Sequence, residues 1–219
     1  MDWNEARHRM VETQIATRHI RDPRVLQAML EVPREEFVPQ ELRELAYDDR
    51  PLDIGHDQTI SQPYIVALMA EVLALGPGDR VLEIGAGSGY AAAVLSRIAA
   101  EVRAVEISPV LAAEAQERLL RLGYRNVHVR HGDGWQGWPE RAPFQGISVA
   151  AAAPRVPPAL VEQLADGGRL VIPVGIRNGQ TLILLRREGS TITETDLGLV
   201  RFVPLLGGTL EPAGRADPV

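Results

Sequence analysis

The chain has 219 residues, 45% of them hydrophobic, enough for one domain with a continuous core and too few for two full-sized ones. Its 29 acidic and 23 basic residues leave a formal charge of −6, and the basic ones are scattered, so the charge footprint of a nucleic-acid binder is missing. The absence of cysteine excludes disulfides and thiolate metal sites.

The opening MDWNEARHRMVETQIATRHIRD is charged throughout and lacks the apolar stretch of a secretory signal. No later run approaches the roughly 18 apolar residues of a membrane span, so a cytoplasmic protein away from membranes is expected. From about Asp2 to Leu45 the spacing is helical: Met10, Val11, Gln14 and Ile15, then Val25, Leu26, Met29 and Leu30. Asp22 reads as an N-cap, with Pro23 at the first helical position. Residues 47 to 60 have no clear period and lead into a helix that Pro63 starts and that runs to about Leu75. An irregular polar stretch ahead of a helix is a natural binding loop.

Beyond Gly76-Pro77-Gly78 short apolar runs alternate with helical stretches. The runs are RVLEI (80–84), VRAVE (102–106), VHVR (127–130), GISVA (146–150), RLVIPV (169–174), TLILLRR (181–187) and LVRFVPL (199–205). Helices are expected near 88–99, 109–122 and 157–164. This alternation predicts an α/β fold, a mostly parallel sheet with helices on both faces, and the last runs, with no helix between them, predict an antiparallel hairpin at one edge. The chain divides into helices and a binding loop (1–75), a sheet core (76–206) and a Gly- and Pro-rich tail (207–219) expected to be flexible.

The first strand ends in Glu83-Ile84-Gly85-Ala86-Gly87-Ser88-Gly89-Tyr90 and a helix follows. Gly85, Gly87 and Gly89 therefore occupy a strand-to-helix turn, where a nucleotide-type cofactor approaches backbone closely. Glu106, at the end of the next strand, is placed to accept from both ribose hydroxyls, which dinucleotide and S-adenosylmethionine enzymes share. The spacing is GxGxG, not GxGxxG, and Glu83 would repel a pyrophosphate yet attract a sulfonium or an ammonium. Asp133, in HGDGW, completes a row of acids at successive strand ends and is expected to accept from the adenine amino group.

Beyond those residues the chain closely resembles the protein-L-isoaspartate O-methyltransferases, over about residues 10 to 207. The resemblance rests on VLQAMLEVPREEFVP (25–39), AYDDRPLDIGHDQTISQPYIVALM (46–69), VLEIGAGSGY (81–90), GDGWQGWPERAPF (132–144), AAAP (151–154) and PPALVEQLADGGRLVIPVG (157–175). It implies a Rossmann-like class I methyltransferase fold with extra N-terminal helices. It also implies methyl transfer from S-adenosyl-L-methionine to isoaspartyl-containing proteins and peptides, leaving S-adenosyl-L-homocysteine and starting repair through a succinimide. A monomer is expected, with no metal, nucleic acid or membrane partner. The serine matching Ser61 is the family's active-site residue, and Thr59 and Gln58 accompany it. Glu83, Gly85, Ala86, Gly87, Gly89, Glu106, Ile107, Asp133 and Gly134 are the expected cofactor residues, and Ile60, Tyr64 and Val203, with Phe202 and Leu205 nearby, the expected substrate contacts. From the residues alone, Ser61 is equally readable as a helix N-cap.

Three positions depart from the family pattern: Asp57 for glycine, Gln145 for an acid and Ala150 for threonine. Asp57 puts a negative charge near a site that must accept a carboxylate; Gln145 and Ala150 are expected near cofactor and substrate. Two alternatives accompany the resemblance: a specialised homologue methylating an aspartate of a dedicated peptide or another carboxylate, and a cofactor-binding protein without turnover. His56 has no second metal ligand at a useful spacing. Trp3, Trp135 and Trp138 read as packing residues, and Arg121, Arg125 and Arg130 as a solvated face.

Overall fold

The computed structural model describes residues 2–176 and 179–208. Helix α1 (Trp3–Met10) is capped by the Asp2 carboxylate, which accepts from the amides of Asn4 and Glu5. It runs on through a π-helical turn at Val11–Ile15 and a 3-10 turn at Ala16–Arg18. Asp22 caps α2 (Pro23–Glu31) as its sequence predicts, and Val25, Ala28 and Met29 face the core at three-to-four-residue spacing. Two 3-10 turns, Arg34–Phe37 and Gln40–Leu45, take the place of a further regular helix.

Strands β1 (Leu52–Gly55) and β2 (Gln58–Ile60) form an antiparallel hairpin in the stretch expected to be irregular. Strands of four and three residues are too short to display a period. Helix α3 (Pro63–Leu73) follows, with proline in its first turn.

The main sheet and its helices then run β3 (Arg80–Ile84), α4 (Tyr90–Ser96), β4 (Glu101–Glu106), α5 (Pro109–Arg121), β5 (Val127–His131), β6 (Phe144–Val149), α6 (Pro158–Glu162), β7 (Leu164–Ile176), β8 (Gly179–Glu188) and β9 (Thr191–Val200). Their order is β5-β4-β3-β6-β7-β8-β9, parallel from β5 to β7 and antiparallel for the last two pairings. Alternate residues of one strand serve opposite cores. Val81, Val102, Val127 and Val171 pack with the N-terminal helices, whereas Leu82, Val105, Ile147 and Leu170 pack on the other face with Leu160 of α6.

The last strand differs from the expectation. Strand β9 lies at 191–200, and the apolar run 199–205 only begins in it: residues 201–203 lie outside any strand and Pro204 makes a single bridge to Ala152. The segment TITETDLGLV is polar because β9 is an edge strand whose side chains are mostly exposed, so a search for apolar runs passes it by. Residues 201–208 instead form a strap across the carboxyl ends of the strands, held where Ala152 donates to the Val203 carbonyl and accepts from the Leu205 amide. Of the tail expected from 207, only Gly207 and Gly208 are described, and the Gly208 amide donates to Asp133 Oδ2 at 2.8 Å; residues 209–219 lie outside the described part.

Candidate functional site

Strand β3 has β4 on one side and β6 on the other, so the strand order reverses there and a crevice opens beyond its carboxyl end. Gly85, Gly87 and Gly89 all have positive φ, between +52° and +88°, a conformation costly for residues with a Cβ. The turn they make lets Glu83, Gly85, Ala86 and Gly87 line a cleft together with Glu106 and Ile107. Gly89 does something else. It caps α4 and packs against Leu119 and Ala115 of α5, while Ser88 lines the cleft in its stead.

The three acids diverge in role. Glu83 is buried, its Oε2 has no hydrogen-bond partner, and burial, reinforced by repulsion from Glu106, holds its pKa well above the ordinary carboxylate range. An unpartnered buried carboxylate is costly unless a cation or donor meets it. Glu106 is also buried, with Oε2 accepting from the Gly87 amide at 2.9 Å and Oε1 from the Ser108 amide at 3.0 Å, so its orientation is fixed toward the cleft it lines. Asp133 is not on the cleft wall. Its Oδ1 accepts from the Trp135 amide and its Oδ2 from the Gly208 amide, and Gly134 is the residue that reaches the cleft. A Cβ at Gly134 would run into Ile84 and Leu205, so only glycine lets this turn close over β3.

Gln58, Thr59, Ile60 and Ser61 line the same cleft from the hairpin side. A Cβ on Gly87 would meet Ile54 of β1 at 3.4 Å, which shows how closely the hairpin sits on the glycine turn. Gln62, not Ser61, occupies the N-cap of α3, and no side chain caps that helix, so the capping alternative for Ser61 falls away. The side-chain Nε2 of Gln62 donates to the Asp49 carbonyl and ties the loop to the N-terminal layer.

A second cleft opens beside the first, lined by Pro51, Gln62, Ile65 and residues 199–203. Thr59, Ser61, Ala150 and Val203 line both and so form the wall between them. Tyr64 lines neither; it lies under the Arg18 guanidinium, 4.9 Å from its ring centroid. Phe202 lines the second cleft and Leu205 the first.

The departures separate as well. Ala150 lines both clefts, as expected. Asp57 lines neither and is exposed in the hairpin turn. Gln145 is at the opposite end of the sheet, near the start of β6, where its Oε1 accepts from the Arg80 amide at 2.9 Å. Its expected place beside the cofactor was an error of one strand length: only the carboxyl end of β6 reaches the cleft. Arg130 is not simply solvated, since it stacks on Trp138 at 4.2 Å and donates to the Gly137 carbonyl. Among the described residues no group of three metal-capable side chains clusters. Ser88, Tyr90, Ala151, Pro204 and Leu206 line the cleft without being singled out in the sequence. Ser88 and Tyr90 were within reach, being part of the glycine turn; the strap residues arrive from far along the chain.

The match to known proteins agrees with this geometry. The family model described as protein-L-isoaspartate(D-aspartate) O-methyltransferase matches residues 5–210. A relative from Roseiflexus sp., called protein-L-isoaspartate O-methyltransferase, is 57% identical over 98% of this chain and 98% of its own. A solved structure with that same description superposes with a TM-score of 0.82 at 33% identity, covering 92% of this chain and 66% of the other. Another, described as a beta-aspartate methyltransferase from Plasmodium falciparum in complex with S-adenosyl-L-homocysteine, gives a TM-score of 0.80 at 29% identity, covering 91% and 98%.

Proposed function

The chain belongs to the protein-L-isoaspartate O-methyltransferase family, and from that premise we propose how its residues share the work. It is an S-adenosylmethionine-dependent methyltransferase acting on L-isoaspartyl residues. The observation that carries the reading is the common wall: Thr59, Ser61, Ala150 and Val203 face a cofactor cleft on one side and a substrate cleft on the other.

The donor set of the first cleft fits this cofactor. Glu83, with an unpartnered buried oxygen, meets the cationic end, Glu106 the ribose hydroxyls, and Gly85, Ala86 and Gly87 give backbone access; Ile107 and Gly134 border the adenine end. Asp133 supports the adenine end by bracing the turn and strap. When bound, the cofactor supplies a methyl group on a cationic sulfur. A carboxylate with an ordinary pKa near 4 is already ionised at neutral pH, so the residues around it have no proton to remove. Their task is orientation. Ser61 and Thr59 donate hydroxyl hydrogen bonds to the carboxylate, Gln58 supports the loop, and Ile60 and Val203 screen the wall from water. The backbone nitrogen that follows then attacks the ester carbonyl, closing a succinimide and releasing methanol, and hydrolysis of the succinimide returns part of it to normal aspartate.

The same reading has the enzyme working in the cytoplasm as a monomer on isoaspartyl-containing proteins, without nucleic acid or membrane partners; no helix among the described residues is long and apolar enough to cross a membrane. The test is methyl transfer to matched peptides carrying L-isoaspartate or aspartate at one position. Base-labile ester should appear on the isoaspartyl peptide alone. Ser61→Ala should lose a charge-assisted hydrogen bond of roughly 1.5–3 kcal/mol, about 10- to 100-fold in kcat, with cofactor affinity unchanged. No transfer to either peptide by a protein that still binds cofactor overturns the reading.

A further inference from the structure

The substrate cleft is nearly neutral. Its wall is made of Pro51, Ile65, Leu199, Val200 and Phe202 with uncharged polar groups from the hairpin side, and among the described residues Arg201 is the one charged residue that lines it. That residue is exposed, and it lines the substrate cleft only. The chain around it is acidic, with a formal charge of −6. A protein of that charge repels an acidic peptide at a distance, so any attraction has to be local.

We propose that Arg201 is a specificity-determining residue that recognises an acidic side chain beside the isoaspartyl residue of the substrate. The inference rests on the functional reading above. Arg201 is two positions from Val203 on the common wall, with Phe202 between them, so their Cα atoms are at most about 7 Å apart. Because Arg201 lines the substrate cleft and not the cofactor cleft, its guanidinium is assigned to the residue flanking the reacting carboxylate and not to that carboxylate itself. A planar fork of donors suits a neighbouring Asp or Glu carboxylate, and the open cleft leaves the pair exposed to water and to salt.

Three isoaspartyl peptides that differ only in Glu, Gln or Lys next to the isoaspartyl residue provide the test, with the full chain and its Arg201→Gln, Arg201→Lys and Arg201→Glu variants. The wild-type protein should show a KM about two- to fivefold lower for the Glu peptide than for the Gln peptide, the size of an exposed ion pair. This preference should shrink at high salt, vanish in Arg201→Gln, persist in Arg201→Lys and reverse toward the Lys peptide in Arg201→Glu, with kcat and cofactor affinity unchanged. Equal KM values for the three peptides in the wild-type protein overturn the proposal. So does an Arg201→Gln variant that loses kcat to the same degree on all three, because that pattern puts the guanidinium on the reacting carboxylate. A wild-type protein that methylates none of them contradicts the functional reading itself, a result distinct from either.

Discussion

Glu83, one residue before the end of β3, has Oε2 unpartnered, and burial, followed by repulsion from Glu106, raises its pKa well above 4.5. Below the unfolded value the group is neutral in both states. As pH rises through 4.5 the unfolded chain ionises first, so the stability this carboxyl contributes is progressively lost until the folded pKa is passed. Glu83→Gln never ionises. Its melting temperature should therefore gain on the wild-type value as pH climbs above 4.5 toward the raised value of the folded carboxyl. Cofactor binding runs the other way: a cation favours ionised Glu83, so binding releases a proton wherever the free protein holds one, and affinity falls as pH drops below the raised pKa. Thermal melts across that range, with calorimetric cofactor titrations in two buffers of different ionisation heat, check both halves. A Glu83→Gln protein with wild-type affinity and pH profile would remove Glu83 from the cofactor site. Glu83 and Glu106 were legible from sequence because the acid before a glycine turn and the acid ending the next strand are local patterns. Whether an acid faces the cleft or braces a turn is not local, and Asp133 shows the difference.

The β1–β2 hairpin turns through His56 and Asp57, whose φ values are +55° and +56°. Two successive left-handed residues make the mirror-image turn that suits a short hairpin, and glycine is the residue that enters it without strain. The departure at Asp57 is therefore a conformational one at an exposed position away from both clefts. Asp57→Gly should stabilise the fold by about 0.5–1 kcal/mol, the relief of left-handed strain less the entropy of glycine. Chemical denaturation measures this, and KM for an isoaspartyl peptide should stay the same. A lower KM in the variant would instead mean that the Asp57 charge reaches the substrate. At this scale the sequence was readable where periods were long enough. The helices over 23–31, 63–73 and 109–121 and the buried parallel strands declared themselves, whereas the hairpin was too short and β9 too polar. The apolar residues at 202–206 misled because they belong to a strap over the clefts, where apolar character serves a binding wall and not a ladder.

At the level of the molecule the strap joins the two clefts: its residues 201–203, with Leu199 and Val200 at the end of β9, line the substrate side and 203–206 the cofactor side. No window of sequence contains this arrangement, since it brings together the hairpin, the ends of β3, β4 and β6, and a segment about 140 residues beyond the hairpin. The strap is fastened at its far end by Asp133, which holds the Gly208 amide, and by the Trp135 indole, which donates to the Leu205 carbonyl at 3.4 Å. If these contacts leave the strap mobile before ligands bind, a ligand that presses against one face of it should also order the wall of the other cleft. Some of the cost of ordering it is then met by whichever ligand binds first. S-adenosyl-L-homocysteine should accordingly tighten binding of an isoaspartyl peptide by about five- to tenfold, and the peptide should tighten S-adenosyl-L-homocysteine binding by the same factor, as linkage requires. Paired calorimetric titrations give both factors. Asp133→Ala frees the strap end and leaves two amides without their acceptor, so both factors should fall toward one together, even where each ligand still binds alone. Independent binding of the two ligands to the wild-type protein would mean that the strap is already rigid without them, and its shared position would then be a matter of geometry with no energetic coupling.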